Sequence, residues 1–418
     1  MTGFTLDNYI LNNEYQFNRK IGCGTYGLIY LIEHLPTGKL MAAKILLKNP
    51  PMSHLTEDNK IAIQHQLYTY FNENPNLIVP ELDLFQLKTS VGNCPFLREI
   101  SLHLQVHDHP NVVTIHKVFN TPIAVIICMD YFPQGDLFHN IINNRLFLSI
   151  SNSMQKTRLM KNVMLQLINV INYCHKHSVY HCDLKPENIM INYDLHYRRP
   201  KHSTSIIDYN ECHIVLIDFG LAMNSNLICC NACRGSSFYM APERIINYSV
   251  NTTIQKYVDL KQYKSIDINN TTVTKSNSTY FPTLQGDIWS LGVLFINLTC
   301  ARNPWPVASI AEDSYVFRDY SLNNNKSILK QILPISNQFN HLLDKIFQLD
   351  PNKRISLPEL YHEIVNVDFF NDFNQLNTPP DSDNEDFKFA STLVTPENSL
   401  MESCKGKTKN FNCPHHNY

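Results

Sequence analysis

Hydrophobic and polar positions alternate with a period of two near the start of the chain and recur every three or four residues in most of the remainder. Residues 15–46 alternate on either side of the sequence PTGK, which predicts a β-hairpin that follows a glycine-rich turn. Residues 96–106, FLREISLHLQV, have apolar positions at helical spacing, and residues 124–132, AVIICMDYF, predict a buried strand. The segment from Lys48 to about Pro95 is mixed and predicts part helix and part loop.

Longer helical patterns dominate the rest of the chain. Residues 155–179 predict a long helix, and the apolar segment at 288–300 predicts a buried one. Two polar interruptions, at about 192–211 and about 248–284, are rich in Asn, Thr, Ser and Tyr. We interpret both as surface insertions, and we favour tolerated loops over docking elements.

The two ends and the composition limit the classes of protein. Residues 1–14 form a short polar extension, and residues 373–418 predict a disordered tail. With 44% hydrophobic residues and a net charge of −2, the 418-residue chain supports a large core and gives no bulk argument for binding nucleic acid or a membrane. No apolar run reaches the roughly 18 residues of a membrane span, and no leader pattern is visible. We therefore expect an intracellular protein of the cytoplasm or nucleus, with free thiols at its twelve cysteines.

The glycine-rich turn carries the first candidate chemistry. Gly22, Gly24 and Gly27 form the pattern G-x-G-x-x-G, whose backbone N–H groups can face phosphate oxygens. Dinucleotide-binding proteins share this pattern, but they need a helix after the turn and an acidic residue about 20 positions further on. Here a strand pattern follows, and Lys44 stands at about that distance. The sequence therefore favours a nucleotide covered by a β-hairpin.

Lys44 lies between apolar residues in the sequence MAAKIL, where a strand lysine usually extends past its neighbours to solvent. The functional alternative is an ammonium that lies over nucleotide phosphates and is held there by a carboxylate on a helix. Glu99, in the predicted helix FLREISLHLQV, is the natural partner. Taken alone, Glu99 would more often be a solvated helix charge.

The sequence VYHCDLKPENIM, at residues 179–190, contains residues that suit phosphoryl transfer to a hydroxyl. Asp183 could orient the hydroxyl and accept its proton, and Lys185 could offset the charge that develops on the transferred group. Asn188, together with Asp218 of the sequence VLIDFGLA, offers the hard oxygen ligands that Mg²⁺ prefers. Each residue alone has an ordinary alternative as a helix cap or a salt-bridge partner. Four such motifs in this order make coincidence a poor explanation.

Together these motifs resemble the eukaryotic protein kinase family over roughly residues 15–370. The glycine turn, Lys44, Glu99, HCDLKPEN, DFG, APE, GDIWSLG and DPNKR occur in the order of that family. The resemblance implies an α+β, bilobal fold with ATP in the cleft. The kinase domain would cover residues 15–372, with a small β-rich N-lobe at about 15–131 and a larger helical C-lobe at about 132–372. It also implies ATP and Mg²⁺ as cofactors and proteins as substrates. A monomer is the default expectation.

The resemblance implies roles for individual residues at the nucleotide. Met129 looks like the gatekeeper, followed by the hinge Asp130–Phe132, and Asp136 would contact the ribose. The predicted ATP site comprises Ile21, Gly22, Cys23, Gly24, Thr25, Tyr26, Gly27, Leu28, Ile29, Ala42, Lys44, Met129, Asp130, Phe132, Asp136 and Met190. Met190 would form the floor of the adenine pocket.

The resemblance extends to the catalytic loop (residues 181–188) and the activation segment (residues 218–243). Asp287 would brace the catalytic loop, and Glu243 would pair with Arg354. The lysine two residues after the catalytic aspartate and the sequence GSSFY are similar to the serine/threonine type. Ser236 would line the substrate hydroxyl, and Glu187 could favour a basic residue near it. Within that type the chain looks like the fungal Ran/Pat, Sks and Vhs-type kinases, a branch associated with restraint of meiosis and with nutrient responses.

Cys182 departs from the family pattern. It stands where many kinases carry an arginine that binds a phosphate on the activation segment. The segment agrees with this departure, because after Ser225 it reads NLICCNACRG and has no hydroxyl residue until Ser236. We therefore predict an enzyme that is active without phosphorylation of its activation segment.

Two alternatives remain at this point. Cys229, Cys230 and Cys233 could join Cys182 in a metal site, but free thiols are the favoured interpretation. The chain could also be a pseudokinase that binds nucleotide or partners without chemistry. Such proteins usually lose at least one of four residues, and all four are present here: Lys44, Asp183, Asn188 and Asp218. A lipid or small-molecule kinase is disfavoured by APE and GSSFY, which build a peptide platform.

Overall fold

The computed structural model describes residues 5–24, 27–49, 57–89, 95–200, 202–266, 278–310 and 314–370. The chain divides into two compact units, Met1–Pro133 and Gln134–Asn417. A β-sheet dominates the first unit, and most of the helices belong to the second. The α+β class predicted from the sequence is confirmed. The predicted tail at 373–418 lies outside the described residues.

The first unit is built on a six-stranded antiparallel sheet with the spatial order β1-β2-β3-β4-β6-β5. Its strands are β1 (Ile10–Leu11), β2 (Tyr15–Gly24), β3 (Gly27–His34), β4 (Lys39–Leu47), β5 (Ile115–Asn120) and β6 (Ala124–Asp130). Its helices are α1 (Glu57–Glu73), α2 (Leu84–Thr89) and α3 (Pro95–Val106). The hairpin predicted around PTGK is confirmed as β3 and β4, which pair in register from His34↔Lys39 to Gly27↔Leu46.

Both faces of this sheet are covered. On one face, Ile45 packs in a core with Leu67 and Phe71 of α1. On the opposite face, the next strand residue, Leu46, packs in a second core with Leu104 of α3. Strand β6 contributes alternate residues to the two cores, which explains why its sequence is continuously apolar.

Residues 5–14 belong with this sheet and its core and do not form a separate polar extension. Strand β1 pairs with β2, and Leu6 and Leu11 are buried in the first core. Asn12 adopts a left-handed backbone (φ 52°), a conformation that asparagine tolerates better than most residues, and so permits the turn between β1 and β2. The few apolar residues in this stretch were too widely spaced to produce a strand pattern.

The second unit contains eight helices and five short strands within the part that the structure describes. The helices are α4 (Leu137–Ile142), α5 (Ser153–Lys176), α6 (Pro242–Ile245), α7 (Thr283–Cys300), α8 (Tyr315–Ser321), α9 (Ile328–Ile332), α10 (Asn337–Ile346) and α11 (Leu357–Asn366). The strands are β7 (Ile189–Tyr193), β8 (Cys212–Leu216), β9 (Leu227–Cys229), β10 (Lys264–Ile266) and β11 (Ser278–Pro282). Single 3₁₀ turns lie at Pro186–Asn188, Ile254–Lys256, Leu260–Gln262 and Pro351–Lys353.

Helix α7 is the centre of this unit. Nearly all of its residues are buried, as the apolar segment at 288–300 predicted, and Trp289 contacts the rings of Trp305, Phe317 and Phe347. The long helix predicted at 155–179 is confirmed as α5, which packs against α7. Within the described residues, no helix is both long and apolar enough to cross a membrane.

The first polar interruption, at about 192–211, connects β7 to β8 and is anchored to α5. Glu211, only 4% exposed, accepts hydrogen bonds from Arg199 (Nε–Oε2 3.0 Å) and from Arg158 of α5 (Nη2–Oε1 3.0 Å). Asn162 of α5 donates to the backbone carbonyl of Asp208 at 2.9 Å. Polar side chains therefore tie this segment down where an apolar pattern is missing.

The second interruption, at about 248–284, is not a plain surface loop in its described part. Tyr248, Ile254, Tyr263 and Phe281 are buried, and the Phe281 ring packs on both tyrosines at centroid distances of 5.3 and 4.6 Å. Strand β11 pairs with β10 on one side and with β9 on the other. The surface prediction is wrong here because isolated aromatic residues, rather than a periodic aliphatic pattern, form the buried contacts.

Candidate active site

The glycine turn in the first unit joins β2 to β3, with the pairs Gly22↔Ile29 and Gly24↔Gly27. A Cβ on Gly27 would lie 1.7 Å from the carbonyl oxygen of Ile45, so the close approach of β4 leaves room only for glycine at position 27. A Cβ on Gly24 would meet nothing within 4 Å, so the backbone at Gly24 faces open space. Thr25 and Tyr26 lie outside the described residues.

The other predicted nucleotide residues of the first unit lie on four strands. Ile21 and Cys23 are on β2, Leu28 and Ile29 on β3, Ala42 on β4, Met129 and Asp130 on β6, and Phe132 follows β6. Leu28 is fully buried in the first core, which argues against a contact between its side chain and a nucleotide. Ala42 pairs with Met129 across β4 and β6.

Lys44 and Glu99 are brought together as the sequence predicted. The Lys44 Nζ lies 2.5 Å from the Glu99 Oε1, and the two side chains are only 14% and 16% exposed. Strand β4 fixes Lys44 between Ile29 and Ile127, while Ile100 and Leu104 bury the adjacent face of α3. The solvated-surface alternatives for these two residues are therefore excluded.

Asp130 is held by charge at the end of β6. The His116 Nε2 lies 2.6 Å and the Lys39 Nζ 3.3 Å from the Asp130 Oδ1. The hydrogen bond from His116 is the main reason that the pKa of Asp130 is lowered. The side chain of Asp130 is thus engaged with its own sheet.

In the second unit, the Asp183 carboxylate is the centre of a hydrogen-bonded cluster. Its Oδ1 accepts the backbone N–H of Ser236 at 2.8 Å and the Ser236 hydroxyl at 2.9 Å. Its Oδ2 accepts the Asn188 side-chain amide at 3.1 Å and lies 3.1 Å from the Lys185 Nζ. Lys185 also donates to the Ser236 Oγ at 3.0 Å. Three residues that the sequence singled out, Lys185, Asn188 and Ser236, therefore meet at the carboxylate of Asp183.

The backbone just before Asp183 is held by hydrogen bonds to the carboxylate of Asp287 on α7. The Asp287 Oδ2 accepts the N–H of His181 at 3.0 Å, and its Oδ1 accepts the N–H of Cys182 at 3.1 Å. Cys182 has a left-handed backbone (φ 64°), which is unfavourable for a residue with a side chain. Asp287 thus stabilises a strained turn, in agreement with its expected bracing role.

Asn188 and Asp218 lie at the same end of the β7–β8 hairpin. The pair Ile189↔Leu216 sets the register, and the backbone carbonyl of Asn188 accepts the N–H of Ile217 at 2.9 Å. Asp218 is exposed and has a left-handed backbone (φ 60°). An amide oxygen and a carboxylate at one edge fit Mg²⁺, which binds one or two protein oxygens together with phosphate.

Two further acidic residues lie near these elements. Asp136 caps α4 by accepting the backbone N–H of His139 at 2.7 Å, forms a backbone bridge with Met190, and has its pKa raised by burial. Burial also raises the pKa of Glu187, whose Oε2 has no hydrogen-bond partner within the described residues.

The activation segment is joined to the second interruption by backbone hydrogen bonds. Strand β9 pairs with β11 in the register Ile228↔Phe281. Beyond the strand ends, the Cys230 N–H donates to the carbonyl of Thr279 at 2.8 Å, and the Thr283 N–H donates to the carbonyl of Asn226 at 2.9 Å. No pattern in the sequence predicted this pairing.

The cysteines in the described part of the chain are free thiols. No cluster of three or more His, Cys, Asp or Glu side chains in that part is arranged to hold a metal. Cys230 is buried and its thiol donates to the carbonyl of Ile246 at 3.3 Å, whereas Cys233 is exposed. These findings favour free thiols over a metal site in the activation segment.

Glu243 and Arg354 form a buried, bidentate ion pair, with Nη1–Oε1 and Nη2–Oε2 distances of 2.7 and 2.6 Å. The Arg354 guanidinium also lies 4.9 Å from the ring centroid of Trp289. The expected pairing is confirmed, and it links the end of the activation segment to the 3₁₀ turn at Pro351–Lys353.

Sequence reasoning assigned no structural role to three residues beside the catalytic loop: Arg244, and the glycines that begin the motifs GSSFY and GDIWSLG, Gly235 and Gly286. Gly235 has φ 117°, and a Cβ there would lie 2.6 Å from the carbonyl oxygen of Cys182. A Cβ on Gly286 would lie 2.3 Å from the Arg244 Cζ. The signal was available, since only 12 glycines occur in the whole chain.

Comparisons with known proteins agree with this geometry. A family model described as a protein kinase domain matches residues 85–260 and 272–370. The chain is 35% identical over 401 residues to the serine/threonine-protein kinase VHS1 of Saccharomyces cerevisiae, covering 93% of this chain and 78% of that protein. It is 35% identical over 390 residues to the serine/threonine-protein kinase SKS1 of the same yeast, covering 90% and 69%. It is 33% identical over 351 residues to a negative regulator of sexual conjugation and meiosis of Schizosaccharomyces pombe, covering 84% and 59%.

Proposed function

The chain belongs to the protein kinase family, as a serine/threonine kinase, and from that premise we propose that it transfers the γ-phosphoryl group of ATP to Ser and Thr hydroxyls of proteins with Asp183 as the base. The observation that carries this proposal is the Asp183 carboxylate, which is oriented by Ser236, Asn188 and Lys185 at 2.8–3.1 Å. A carboxylate fixed in this way can align a hydroxyl and accept its proton.

The neighbouring charges suit the rest of the reaction. Lys185 carries a positive charge beside Asp183 and offsets the negative charge that develops on the transferred group. Lys44, held by Glu99, is the residue proposed to bind the nucleotide phosphates. Mg²⁺, when bound by the Asn188 amide oxygen and the Asp218 carboxylate, supplies charge neutralisation at the phosphates.

The test is transfer of labelled phosphate to a peptide library by the wild-type enzyme and by Asp183→Asn. Removing the base while keeping the shape should lower kcat by about 10²- to 10⁴-fold without changing the melting temperature or the affinity for ATP. Asp319→Asn is the matched control, because that carboxylate on α8 accepts hydrogen bonds from Asn323 and Asn325 of the following loop. Equal transfer by wild type and Asp183→Asn would reject the proposal. Absence of transfer by the wild type would favour the pseudokinase.

The proposal includes activity without phosphorylation of the activation segment. Cys182 is 2% exposed and burial raises its pKa to about 12, so it is a neutral thiol that offers a phosphate no charge. The pairing of β9 with β11 supports the proposal further, because it holds the segment through backbone bonds that need no modification. Phosphatase treatment of the recombinant enzyme should change kcat by less than about twofold, since no phosphate contributes to the order of the segment. A large loss of activity would reject this part.

A role in fungal nutrient or meiotic signalling is supported by the relatives, one of which is named as a negative regulator of sexual conjugation and meiosis. The test is expression of this chain in a Schizosaccharomyces pombe strain that lacks that regulator. Restored restraint of conjugation by the wild type, but not by Asp183→Asn, is the expected result. Failure of the wild type to restore it, with the kinase active in vitro, would reject the role and leave the proposed activity intact.

A further inference from the structure

Arg244 follows Glu243 directly and is a buried cation in the second unit. Its side chain is 1% exposed. The guanidinium donates to the backbone carbonyl of Cys182 (Nη1–O 3.3 Å), to the backbone carbonyl of Thr283 (Nη2–O 3.0 Å) and to Asp287 (Nη2–Oδ1 3.4 Å). Arg244 therefore joins the end of the activation segment to α7 and to the catalytic loop.

The carbonyl that Arg244 holds belongs to the peptide bond that enters Asp183. Asp287 holds the N–H of Cys182 at 3.1 Å, so this strained residue (φ 64°) is held on both its N–H and its carbonyl side. The orientation of the Cys182 carbonyl fixes the plane of the peptide at Asp183. A change at Arg244 is thus expected to alter the direction of the Asp183 side chain.

Two glycines leave the space that this arrangement needs. A Cβ on Gly286 would lie 2.3 Å from the Cζ and Nη2 atoms of Arg244, at the rigid end of the guanidinium rather than on its flexible stem. A Cβ on Gly235 would lie 2.6 Å from the Cys182 carbonyl oxygen. Arg244, Gly286 and Gly235 therefore form one unit with the Cys182 peptide.

The guanidinium stays charged despite its burial. Burial lowers its pKa, but the electrostatic interactions with Cys182, Asp287 and Glu243 together outweigh burial, and the pKa of Arg244 is raised. A buried charge is costly unless it is well bonded, and the Arg244 Nε has no partner within the described residues. Replacement by an apolar residue could therefore leave stability unchanged, which makes stability a poor measure of the role of Arg244.

We propose that Arg244 is a positioning residue for phosphoryl transfer: by holding the Cys182 carbonyl in the space left by Gly286, it directs the Asp183 carboxylate toward the substrate hydroxyl. This proposal rests on the proposed function, because it assigns Asp183 the role of base. It concerns geometry at the catalytic loop and does not involve the nucleotide-binding residues of the first unit.

The first test compares Arg244→Met with Arg199→Met. Arg199 is a matched control, since it is an arginine of the second unit whose side chain is only 8% exposed, but it bonds to Glu211 and to loop carbonyls. Loss of alignment in Arg244→Met should lower kcat by about 10- to 100-fold with the KM for ATP within about twofold. Arg199→Met should keep kcat and KM, and Arg244→Lys should recover part of kcat by donating to the same carbonyls. Unchanged kcat in folded Arg244→Met, or equal kcat losses in Arg244→Met and Arg199→Met, would overturn the proposal.

A double-mutant cycle tests the same arrangement from its other side. Gly286→Ala should displace the guanidinium and reduce kcat as much as Arg244→Met does. In the Arg244→Met background, however, Gly286→Ala should reduce kcat by less than about twofold, because the displaced group is already absent. Multiplicative losses in the double variant would overturn the proposal.

Hydrogen exchange gives a measure that does not depend on catalysis. The backbone N–H groups of His181 and Cys182 should exchange at least about tenfold faster in Arg244→Met, while those of α5 keep the wild-type rate. Unchanged exchange at these two residues would overturn the positioning role even if kcat falls. If exchange rises as expected but Asp183→Asn remains as active as the wild type, the proposed function fails while the contact itself stands.

Discussion

The catalytic loop and the activation segment lie side by side in the second unit, but they are held by different kinds of interaction. Side chains hold the catalytic loop: Asp287 binds its N–H groups, Arg244 binds a carbonyl, and Asn188 binds Asp183. Main-chain bonds hold the middle of the activation segment, through the pairing of β9 with β11, while side chains hold its end at Ser236 and Glu243. The difference shows that a segment whose side chains match no known motif can still be held in one conformation by its backbone.

This difference also explains the departure at Cys182. A phosphate-binding arginine would order the activation segment through a side chain, and the chain lacks both that arginine and a hydroxyl residue between Ser225 and Ser236. The described part of the second interruption supplies β11, which pairs with β9 of the activation segment. We propose that this backbone pairing, which needs no modification, takes the place of an interaction that requires phosphorylation.

Among the substitutions that test this comparison, the largest loss of kcat is expected at Thr283. Thr283→Pro removes the N–H bond to Asn226 and the hydroxyl bond to Ser225, yet proline suits the first residue of a helix such as α7. At about 1 kcal/mol per bond, the ordered fraction of the segment, and with it kcat, should fall by up to about 30-fold. Peptide phosphorylation measures kcat, and the melting temperature reports whether α7 is intact.

Thr283→Val is the control for this prediction. It keeps the backbone N–H and removes only the hydroxyl bond to Ser225, so its loss should be about fivefold or less. If Thr283→Pro retains full kcat, backbone pairing is not what orders the segment.

A smaller effect is expected on the side-chain half of the comparison. Ser236→Ala removes one hydrogen bond to the Asp183 Oδ1 but keeps the backbone N–H bond to the same oxygen. Lys185 also loses its bond to the Ser236 hydroxyl but keeps its ion pair with Asp183, so the lost bond to Asp183 determines the effect. Loss of one hydrogen bond of about 1 kcal/mol corresponds to a roughly fivefold lower kcat. Steady-state kinetics with Ser237→Ala as the neighbouring control would test this value, and a Ser236→Ala enzyme without activity would contradict it.

The smallest effect is expected where side chains of the activation segment are exposed. Cys233 is exposed and its thiol lies 3.7 Å from the Asn231 Oδ1, so Cys233→Ser should change kcat by less than about twofold. The same variant should respond to peroxide as the wild type does. A large loss of kcat in Cys233→Ser, or protection of the enzyme from peroxide by this substitution, would indicate that the activation segment depends on this thiol.

The sequence predicted those parts of the site in which a residue type and its spacing carry the chemistry. Asp183, Lys185 and Asn188 could be recognised from one short stretch, and the pairing of Lys44 with Glu99 followed from two apolar segments that bury their flanks. The hairpin β3–β4 and the buried helix α7 were predicted for the same reason, because their patterns are regular and local.

Contacts between distant, irregular segments could not be predicted. Strand β11 lies in an Asn- and Thr-rich stretch and is fixed by the rings of Tyr248 and Tyr263 around Phe281, which leave no period in the sequence. Strand β1 was not predicted for the same reason, because the buried residues of its segment are few and scattered along the sequence. Leu28 belongs to a glycine turn by its position, but the alternation of β3 directs it into the core.

The missing Cβ at Gly286 also determines the order in which substitutions can accumulate. Any residue larger than glycine is blocked there while the Arg244 guanidinium occupies the space, although the backbone of α7 itself has no need of glycine. Position 286 would therefore score as intolerant in a library of single substitutions and become permissive once position 244 has changed. Mutational paths should run through residue 244 first, and related kinases should exchange the two positions as a pair.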